Sequence, residues 1–402
     1  MIAAVLPATD PAPGHALGVP RAEAVVDLDA VRHNVTLLAD RAAASGAATM
    51  IVVKADGYGH GAAGVARAAL EAGADRLGVA TLDEALALRG AGITAPLLSW
   101  LHLPDEDFAA AVAADVELGV SSREHLAAVL AGARAAGRPA RLHLKADTGL
   151  GRNGCPPGEW PALVDDVIAA GELAELTAVW SHLARADEPG DPSIDAQAAR
   201  LHSAAAHVRS RGYAPLLHLA NSAATLTRPD LHLDLVRPGI AAYGLDPIAQ
   251  PADSPLRPAM TVRGRVALVK TVPAGERVSY GHEWTAPAER VLALVPLGYA
   301  DGVPRRLNNG GRMRVRFGGT GTGTGTVRPV AGRVCMDQFV VDCGAPGELP
   351  VTVGDPVELF GTGAGSGPTA REWADELGTI HYEIVTGIKG RVRRSVTGGR
   401  SG

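Results

Sequence analysis

The segment TMIVVKADGYGHG (residues 49–61) joins a β-branched run to a lysine and a glycine-rich turn. The run TMIVV has the composition of a buried strand that ends at Lys54. Glycine permits the tight turn that follows and lets the backbone approach a ligand closely. A lysine at a strand end, once removed from water, has a lowered pKa and can form a Schiff base. The same side chain can also extend its ammonium group into solvent, so this segment alone leaves both interpretations open.

Lysine is rare in this chain, which has four lysines although lysine and arginine together number 38. Arginine therefore serves wherever a general positive charge is needed. Because arginine does not release its proton in proteins, a lysine kept at an apolar strand end indicates amine chemistry.

Outward from this segment, short β-branched runs alternate with alanine-rich amphipathic stretches, the pattern of a parallel sheet. Leu28–Ala44 is a predicted helix before the first strand. Thr81 and Glu84 have the spacing of a capping box at the start of the helix Leu82–Arg89. Eight strands are predicted: Thr49–Lys54, Arg76–Ala80, Pro96–Trp100, Val116–Val120, Arg141–Ala146, Leu176–Ser181, Pro215–Leu219 and Asp234–Arg237. Eight strand–helix units close a barrel, whereas the competing open, doubly wound sheet usually has fewer strands and a glycine-rich phosphate fingerprint after the first.

The residue pattern changes near residue 258, where short segments of alternating apolar and polar residues are separated by proline and glycine. This pattern is typical of antiparallel strands. The predicted fold class is therefore α/β: an eight-stranded (β/α)8 barrel over residues 21–257, followed by a mainly antiparallel β domain over residues 258–396. An N-terminal strand is a candidate addition to that domain. Residues 1–20 and 397–402 are predicted to be flexible or disordered tails.

The composition argues against several classes of function. The net charge is −5 and the cations are scattered, which disfavours binding to nucleic acid or an anionic membrane surface. No apolar run reaches membrane-spanning length, so no membrane partner is expected. The three cysteines have no CxxC pair and no histidine at ligand spacing, which predicts neither a disulfide framework nor a metal site. Reduced cysteines favour a cytoplasmic protein.

Polar residues gather where the predicted strands end. In a (β/α)8 barrel the active site is built at the C-terminal ends of the strands. Five of those ends carry polar or glycine-rich groups: Lys54 on the first, Lys145 and Arg152 on the fifth, His182 and Asp187 on the sixth, His218, Asn221 and Ser222 on the seventh, and Arg237, Gly239 and Ile240 on the eighth. A single strand histidine is usually a hydrogen-bonded core residue, but five such ends together indicate a site.

A phosphate site is predicted after the last two strands. Ser222 begins a helix, so its hydroxyl and the free N–H groups of that turn suit an anion. Gly239 and Ile240 offer further N–H groups, and these loops are the usual phosphate site of such barrels. A phosphate there and an amine at Lys54 are consistent with pyridoxal 5'-phosphate (PLP), with Arg237 near the pyridine nitrogen. An aspartate there accepts a hydrogen bond from the nitrogen and keeps it protonated, whereas an arginine is always protonated and cannot accept that proton, so the nitrogen stays neutral. This favours brief proton exchange over transamination.

Eight motifs occur in order along the chain: VVKADGYGHG (52–61), HLKADTGLGRNG (143–154), HLANSAA (218–224), VRPGIAAYG (236–244), SYG (279–281), GYADG (298–302), GRVCMDQ (332–338) and TIHYE (379–383). This ordered set resembles the alanine racemase family over nearly the whole chain after the tail. The resemblance implies a PLP-binding barrel followed by a β domain, and a head-to-tail homodimer whose active sites use residues of both chains. The implied activity is interconversion of L- and D-alanine, which supplies D-alanine for peptidoglycan.

The resemblance also implies two acid–base groups on opposite faces of the substrate. Lys54, which holds the cofactor, serves the D-enantiomer. Tyr280 of the partner subunit serves the L-enantiomer. By itself, a tyrosine before a glycine indicates only an aromatic residue in a turn.

Further roles are carried over residue by residue. The matching cofactor contacts are Tyr58, Ser222, Gly239, Ile240 and Tyr382 around the phosphate, Arg237 at the pyridine nitrogen with His182 and His218 behind it, Arg152 at the phenolic oxygen and the substrate carboxylate, and Asn221. The loop of Cys335, Met336 and Asp337 matches the substrate pocket, chiefly through the Met336 N–H. The entrance is matched by Tyr299, Asp187, Arg305 and Arg333, whose charges also suit a solvated loop.

Lys145 is predicted to lie near Arg152, where like charges repel. The resemblance implies that Lys145 carries a carbamate, an anion that holds Arg152. The alternative is an unmodified Lys145 paired with Asp147.

Three other functions stay open on the sequence. A PLP barrel decarboxylase shares the first-strand lysine, but it places an acid where this chain has Arg237 and uses a cysteine where it has Tyr280. A PLP-binding homeostasis protein is a lone barrel without a β domain. A broad-specificity amino-acid racemase differs only in the shape of its pocket.

Overall fold

The structure is a computed structural model, and it describes residues 20–248, 254–308, 314–317, 325–364 and 367–398. Most of the two predicted tails, residues 1–19 and 399–402, lies outside the described residues. Thr397, assigned to the C-terminal tail from the sequence, instead ends a strand because it pairs with Asp27 in a parallel ladder.

Eight parallel strands form the barrel. They follow β1 (Ala22–Asp27) and α1 (Leu28–Ala43) and are β2 (Ala48–Val52), β3 (Arg76–Val79), β4 (Leu97–Ser99), β5 (Glu117–Val120), β6 (Ala140–Lys145), β7 (Ala174–Trp180), β8 (Leu216–His218) and β9 (Leu235–Val236). Their order in the sheet is β8-β7-β6-β5-β4-β3-β2-β9. Asp234 N–H donates to the Leu217 carbonyl at 3.1 Å, and Arg237 N–H donates to the Ala220 carbonyl at 2.8 Å. These two bonds join the end strands, and the predicted (β/α)8 barrel is confirmed.

Helices between the strands cover the barrel. They are α2 (Lys54–Tyr58), α3 (Ala62–Glu71), α4 (Leu82–Gly90), α5 (Phe108–Ala113), α6 (Arg123–Ala136), α7 (Trp160–Ala169), α8 (Ser193–Ser210) and α9 (Ser222–Thr227). The Asp27 carboxylate begins α1 by accepting the N–H groups of Asp29 (2.9 Å) and Ala30 (3.2 Å). Thr81 and Glu84 form the predicted capping box at α4. Among the described residues, no helix combines the length and apolar character that crossing a membrane requires.

The second domain is built from short strands in three sheets. Its elements are β10 (Met260–Arg265), β11 (Leu268–Val272), β12 (Arg277–Val278), β13 (Trp284–Thr285), β14 (Arg290–Val295), β15 (Arg314–Phe317), β16 (Thr326–Pro329), β17 (Phe339–Asp342), β18 (Pro356–Phe360), α10 (Ala370–Leu377), α11 (His381–Gly387) and β19 (Arg393–Thr397). The largest sheet has the order β16-β15-β18-β10-β1-β19, in which only the β1–β19 pair of the described strands is parallel. The other sheets, β11-β14-β17 and β12-β13, are antiparallel.

One hydrophobic cluster extends through both domains. It includes Leu118 and Leu142 of the barrel strands, Val26 of β1, and Val262 and Phe339 of the β domain, all completely buried. Burial of this apolar surface is the main favourable term for folding. The shared core fixes the second domain against the barrel.

Candidate active site

A cavity of about 390 Å³ opens at the C-terminal ends of the barrel strands. The strands are parallel, so residues that are distant in sequence meet at the same rim. The ten residues predicted to bind the cofactor all line this cavity: Lys54, Tyr58, Arg152, His182, Asn221, Ser222, Arg237, Gly239, Ile240 and Tyr382.

An unusual backbone fixes the position of Lys54 at the end of β2. Residues 55–58 all have positive φ, between 52° and 61°. For residues other than glycine this conformation costs roughly 1–2 kcal/mol each, so neighbouring groups must hold it. Glu84 does so by accepting the Ala55 N–H at 2.6 Å. Burial, together with the cation of Arg152, lowers the pKa of the Lys54 ammonium group and so favours the reactive amine.

A pocket lined by hydroxyl groups lies between the ends of β8 and β9. Ser222 Oγ accepts the N–H groups of Gly239 (2.8 Å) and Ala241 (3.3 Å), which leaves its own proton for another acceptor. The Gly239 N–H, predicted to face a ligand, is therefore directed at Ser222. A Cβ on Gly239 would lie 2.4 Å from the Tyr58 hydroxyl oxygen, so the close approach of Tyr58 requires glycine. Tyr382 on α11 adds a second phenol to the wall.

Arg237 follows β9, and its guanidinium is held by several groups behind it, including the Leu219 carbonyl at 3.4 Å. Its Nη2 donates to the Ser181 carbonyl at 2.8 Å and lies 3.4 Å from His182 Nδ1, while its Nη1 lies 3.0 Å from His218 Nδ1. Burial lowers the pKa of Arg237 to about 9, still above neutrality, so the guanidinium remains a cation. Burial and the Arg237 charge both lower the pKa values of His182 and His218, which are therefore neutral.

Lys145, at the end of β6, is buried, and its Nζ lies 4.5 Å from the centre of the Trp180 ring. Burial and the cations of Arg237 and Arg152 lower the pKa of Lys145 to about 8. Asp147, its predicted alternative partner, instead accepts two N–H groups of its own loop at 2.9 and 3.1 Å.

Among the described residues, the charged side chains that line the cavity are all basic, namely Lys54, Lys145, Arg152 and Arg237. Gathering cations in a partly buried site costs free energy unless an anion compensates them. The cavity is therefore suited to a ligand that carries several negative groups.

Tyr280 lies on a separate cleft of the β domain, away from the cavity. We call the residues that line this cleft, 279–282 and 335–338, the Tyr280 face. Tyr280 is 70% exposed and Met336 is 53% exposed. Ser279 has a φ of 65°, and its hydroxyl donates to a backbone carbonyl of a neighbouring loop at 2.8 Å, which fixes the turn. One chain thus holds the two predicted acid–base groups on different surfaces.

Predicted entrance residues lie beside the Tyr280 face. Tyr299 and Arg305 share a further cleft, and Tyr299 N–H donates to the Cys335 carbonyl at 3.1 Å. The Arg333 guanidinium forms an ion pair with Glu283. These contacts join the loops that carry Tyr299 and Arg333 to the loops of the face.

Two predicted acidic residues lie in different places. Asp337, on the Tyr280 face, pairs with Arg391 at 2.7 Å. Asp187 lines a cleft of about 470 Å³ that shares Asn221 and Tyr382 with the cavity. The Asn221 side chain also begins α9, since its oxygen accepts the N–H three residues further on at 3.1 Å. Asp187 is therefore next to the cavity, whereas Asp337 is not among its lining residues.

Sequence reasoning misses several residues of the site. Trp100 and Trp180 line the cavity at the ends of β4 and β7, and the rule that found Lys54 at a strand end also applies to them. His143 is also missed, although alternation along β6 places it on the same face as Lys145. Its ring is completely buried and contacts a second histidine.

Comparison with known families and relatives agrees with the motifs. The family model described as "Alanine racemase, N-terminal domain" matches residues 26–247, and "Alanine racemase, C-terminal domain" matches residues 259–396. The alanine racemase of Mycobacterium avium (strain 104) is 52% identical over 379 residues, which cover 93% of this chain and 94% of the relative.

Solved alanine racemase structures share the fold. The enzyme from D-cycloserine producing Streptomyces lavendulae has a TM-score of 0.89 and 48% identity, covering 95% of this chain and 99% of that chain. The enzyme from Streptomyces coelicolor A3(2) has a TM-score of 0.88 and 50% identity, covering 94% of this chain and 98% of that chain. The family resemblance predicted from the motifs is confirmed. This chain belongs to the alanine racemase family.

Proposed function

We propose that this protein interconverts L- and D-alanine with PLP as its cofactor. The observation that carries the proposal is the cation-lined cavity, in which Lys54 has a lowered pKa and shares the wall with the Ser222 hydroxyl. PLP brings a phosphate and a phenolic oxygen, and the substrate adds a carboxylate, so the anions match the cations of the cavity. When bound, PLP withdraws electrons from the substrate α-carbon and makes its proton acidic.

The pocket at β8 and β9 holds the phosphate in this proposal. The Ser222 hydroxyl retains a proton to donate, and the phenols of Tyr58 and Tyr382 line the same wall. Gly239 leaves the space that Tyr58 occupies. Lys54 would hold the cofactor covalently from the end of β2, the strand that pairs directly with β9.

Arg237 donates to the pyridine nitrogen, and its bond to His218 and its contact with His182 hold it from behind. Because Arg237 stays a cation, it leaves that nitrogen unprotonated and limits side reactions at the cofactor. Arg152, at the rim, binds the phenolic oxygen and the substrate carboxylate.

Racemisation removes the α-proton on one face and returns a proton on the other, so it needs two groups. We assign these to Lys54 for D-alanine and Tyr280 for L-alanine. Because Tyr280 is largely exposed and lies outside the cavity, we place it in the cavity of a second copy, in a head-to-tail homodimer. Met336 accompanies it and offers its N–H to the substrate carboxylate.

Lys145 is proposed to react with carbon dioxide. A pKa of about 8 leaves part of the amine neutral at pH 7. That nitrogen forms a bond to the carbon of CO2 and releases one proton, and the carbamate carries a negative charge beside Arg152. A carbonyl signal of the lysine in protein equilibrated with ¹³C-labelled CO2, absent from Lys145→Met, is the expected result. A bare amine under these conditions would rule the modification out.

The cellular role follows from the reaction. D-alanine is a component of peptidoglycan, so the proposed role is D-alanine supply in the cytoplasm. The three cysteines are free, which fits a reducing compartment. A broad-specificity racemase is the competing assignment, and equal rates with serine and alanine would favour it.

Mixed dimers test the shared site. Purified wild type should be yellow and interconvert the alanine enantiomers, whereas Lys54→Ala and Tyr280→Phe should each be nearly inactive. In dimers formed at random from both variants, about a quarter of the sites contain both native groups, so about a quarter of the activity should return. Lys54→Ala mixed with the double variant is the control and should stay inactive. No recovery in the first mixture would refute a site shared between subunits.

A further inference from the structure

A chain of buried hydrogen bonds leads from the cavity through the barrel interior. Arg237 Nη1 lies 3.0 Å from His218 Nδ1. His218 Nε2 lies 3.0 Å from His143 Nδ1, and His143 Nε2 lies 2.9 Å from Glu117 Oε2. Each of the four side chains is 5% exposed or less. Arg76 completes the far end, where its Nη1 lies 2.8 Å from both carboxylate oxygens of Glu117.

This chain of hydrogen bonds spans the barrel from its rim to its base. Arg237 follows the end of β9 and His218 ends β8, at the rim of the cavity. Glu117 and Arg76 are the first residues of β5 and β3, at the opposite end of these parallel strands. His143, within β6, connects the two levels.

The donors and acceptors of these groups allow only one direction of proton donation along the chain of hydrogen bonds. A guanidinium has only donors, so His218 Nδ1 must accept from Arg237. Neutral His218 then carries its proton on Nε2 and donates to His143 Nδ1. By the same rule His143 carries its proton on Nε2 and donates to Glu117. The carboxylate accepts at the end of the chain and thereby selects the tautomer of both rings.

The charge states of Glu117 and the two histidines agree with this direction of proton donation. Burial raises the pKa of Glu117, but the hydrogen bond from His143 and the cation of Arg76 outweigh it, so the carboxylate is ionised. Arg141 adds a second cation, 3.6 Å from Glu117. Burial also lowers the pKa of His143 and that of His218, so both rings are neutral and carry one proton each.

We propose that Glu117 and His143 are positioning residues for Arg237. Through the two imidazoles, the carboxylate at the barrel base keeps an acceptor in front of Arg237 Nη1. With the opposite tautomers, an N–H of His218 would face that nitrogen and turn the guanidinium away. The effect on the reaction rests on the proposed function, which places Arg237 at the pyridine nitrogen.

A measurement on the wild-type protein tests the proposed chain of hydrogen bonds directly. In holoenzyme with ¹⁵N-labelled histidine rings, the signals of His143 and His218 should both be those of a neutral ring protonated at Nε2. Variants at each position assign the signals. A proton on Nδ1 of either ring, or a doubly protonated ring, would overturn the proposal. This measurement needs no activity and no Glu117 variant that folds.

A pair of variants then separates positioning from stability. Glu117→Gln and Arg76→Met both break the ion pair at the barrel base, but only the first removes the anion that accepts from His143. Glu117→Gln should change the histidine signals, lower kcat on the order of 10- to 100-fold at nearly unchanged KM, and increase the slow conversion of PLP and alanine to pyridoxamine phosphate and pyruvate. Arg76→Met should lower the melting temperature. Because Arg141 and the bond from His143 remain, Glu117 should stay ionised and these three readouts should stay near wild type.

The outcomes distinguish the two proposals. Wild type that neither binds PLP nor racemises alanine would refute the proposed function, while the histidine signals would still report on the chain. Active wild type, with Glu117→Gln matching Arg76→Met in all readouts, would leave Glu117 with a structural role only and overturn this inference.

Discussion

Lys54 in the cavity and Tyr280 on the Tyr280 face both lie beside backbone with positive φ angles, but their surroundings differ. Lys54 precedes a run of five positive φ angles, at residues 55–59, and Tyr280 lies among three, at residues 279, 281 and 282. In the barrel Glu84 holds the turn, and the cavity around Lys54 is lined by residues of the same chain. On the face, Tyr280 projects into solvent.

In the proposed function, these two regions of one chain belong to two different active sites. The barrel supplies a concave surface with excess positive charge, and the face supplies an exposed tyrosine and methionine. Exposed groups of this kind, which line one cleft together, are typical of an interaction surface. The homodimer of the proposed function joins each face to the cavity of the other copy, and the following variants test the two regions separately.

The largest effect is expected at the cavity lysine. Lys54→Ala removes both the covalent attachment of the cofactor and one acid–base group, so activity should fall on the order of 10⁴-fold or more. The bound-cofactor absorbance should also be lost. Lys270→Ala removes an exposed lysine of β11 and should change neither quantity. Normal racemisation by Lys54→Ala would contradict the assignment of this residue.

A smaller effect, in which proton exchange is lost for one enantiomer only, is expected on the Tyr280 face. Tyr280→Phe leaves the cavity intact, so cofactor absorbance should persist while racemisation falls by about 10²- to 10³-fold. Exchange of the α-proton with deuterated solvent should be lost for L-alanine and retained for D-alanine, which Lys54 serves. Tyr213→Phe, near the N-terminal end of β8, is the control. Equal loss of exchange for both enantiomers would show that Tyr280 is not a one-sided base.

Buried positive charge in the cavity should appear as a pH-dependent stability. The pKa of Lys145 falls from 10.5 to about 8 on folding, so between these values the unfolded chain binds more protons. The free energy of unfolding of CO2-free apoprotein should therefore rise with pH across this window, by about 3 kcal/mol at most. Denaturant titrations should show this rise in wild type and a smaller one in Lys145→Met. Parallel curves would mean that Lys145 does not carry the depressed pKa.

The smallest effect is expected from one methyl group in the proposed phosphate pocket. Gly239→Ala would bring a Cβ to 2.4 Å from the Tyr58 hydroxyl oxygen, and such overpacking costs roughly 1–3 kcal/mol. PLP affinity, measured by fluorescence titration of apoprotein, should weaken about tenfold. Gly64→Ala lies in α3 with open space around the new methyl group and should leave the affinity unchanged. Equal affinities for the two variants would place the phosphate elsewhere.

Much of the fold is predictable because its signals are local. The barrel strands are short segments rich in apolar residues, and the capping pair Thr81–Glu84 is readable from spacing alone. The cavity residues are also accessible to sequence reasoning, since one rule places all strand ends at one rim. Lys54 and Arg237 are found in this way although they are far apart in the chain.

What sequence reasoning misses depends on geometry between strands. The bond between His143 and Glu117 exists because β5 and β6 pair in one particular register, and nothing in either local segment shows it. The positive φ angles of Ala55 and Asp56 are likewise unexpected for these residue types. The direction of the Gly239 N–H toward Ser222 depends on side-chain placement, which the pattern of residues does not encode.

The position of β1 between β10 and β19 has a consequence for the order of assembly during synthesis. Proteins emerge from the ribosome N-terminus first. All eight barrel strands precede residue 237, so the barrel can form before the β domain is made. The edge of β1 that pairs with β19 must wait until residues 393–397 emerge. Tyr382 also follows the strands β10 to β18 in the sequence, so both the cavity and the six-stranded sheet of the β domain are completed only after the barrel strands and most of the β domain have been made.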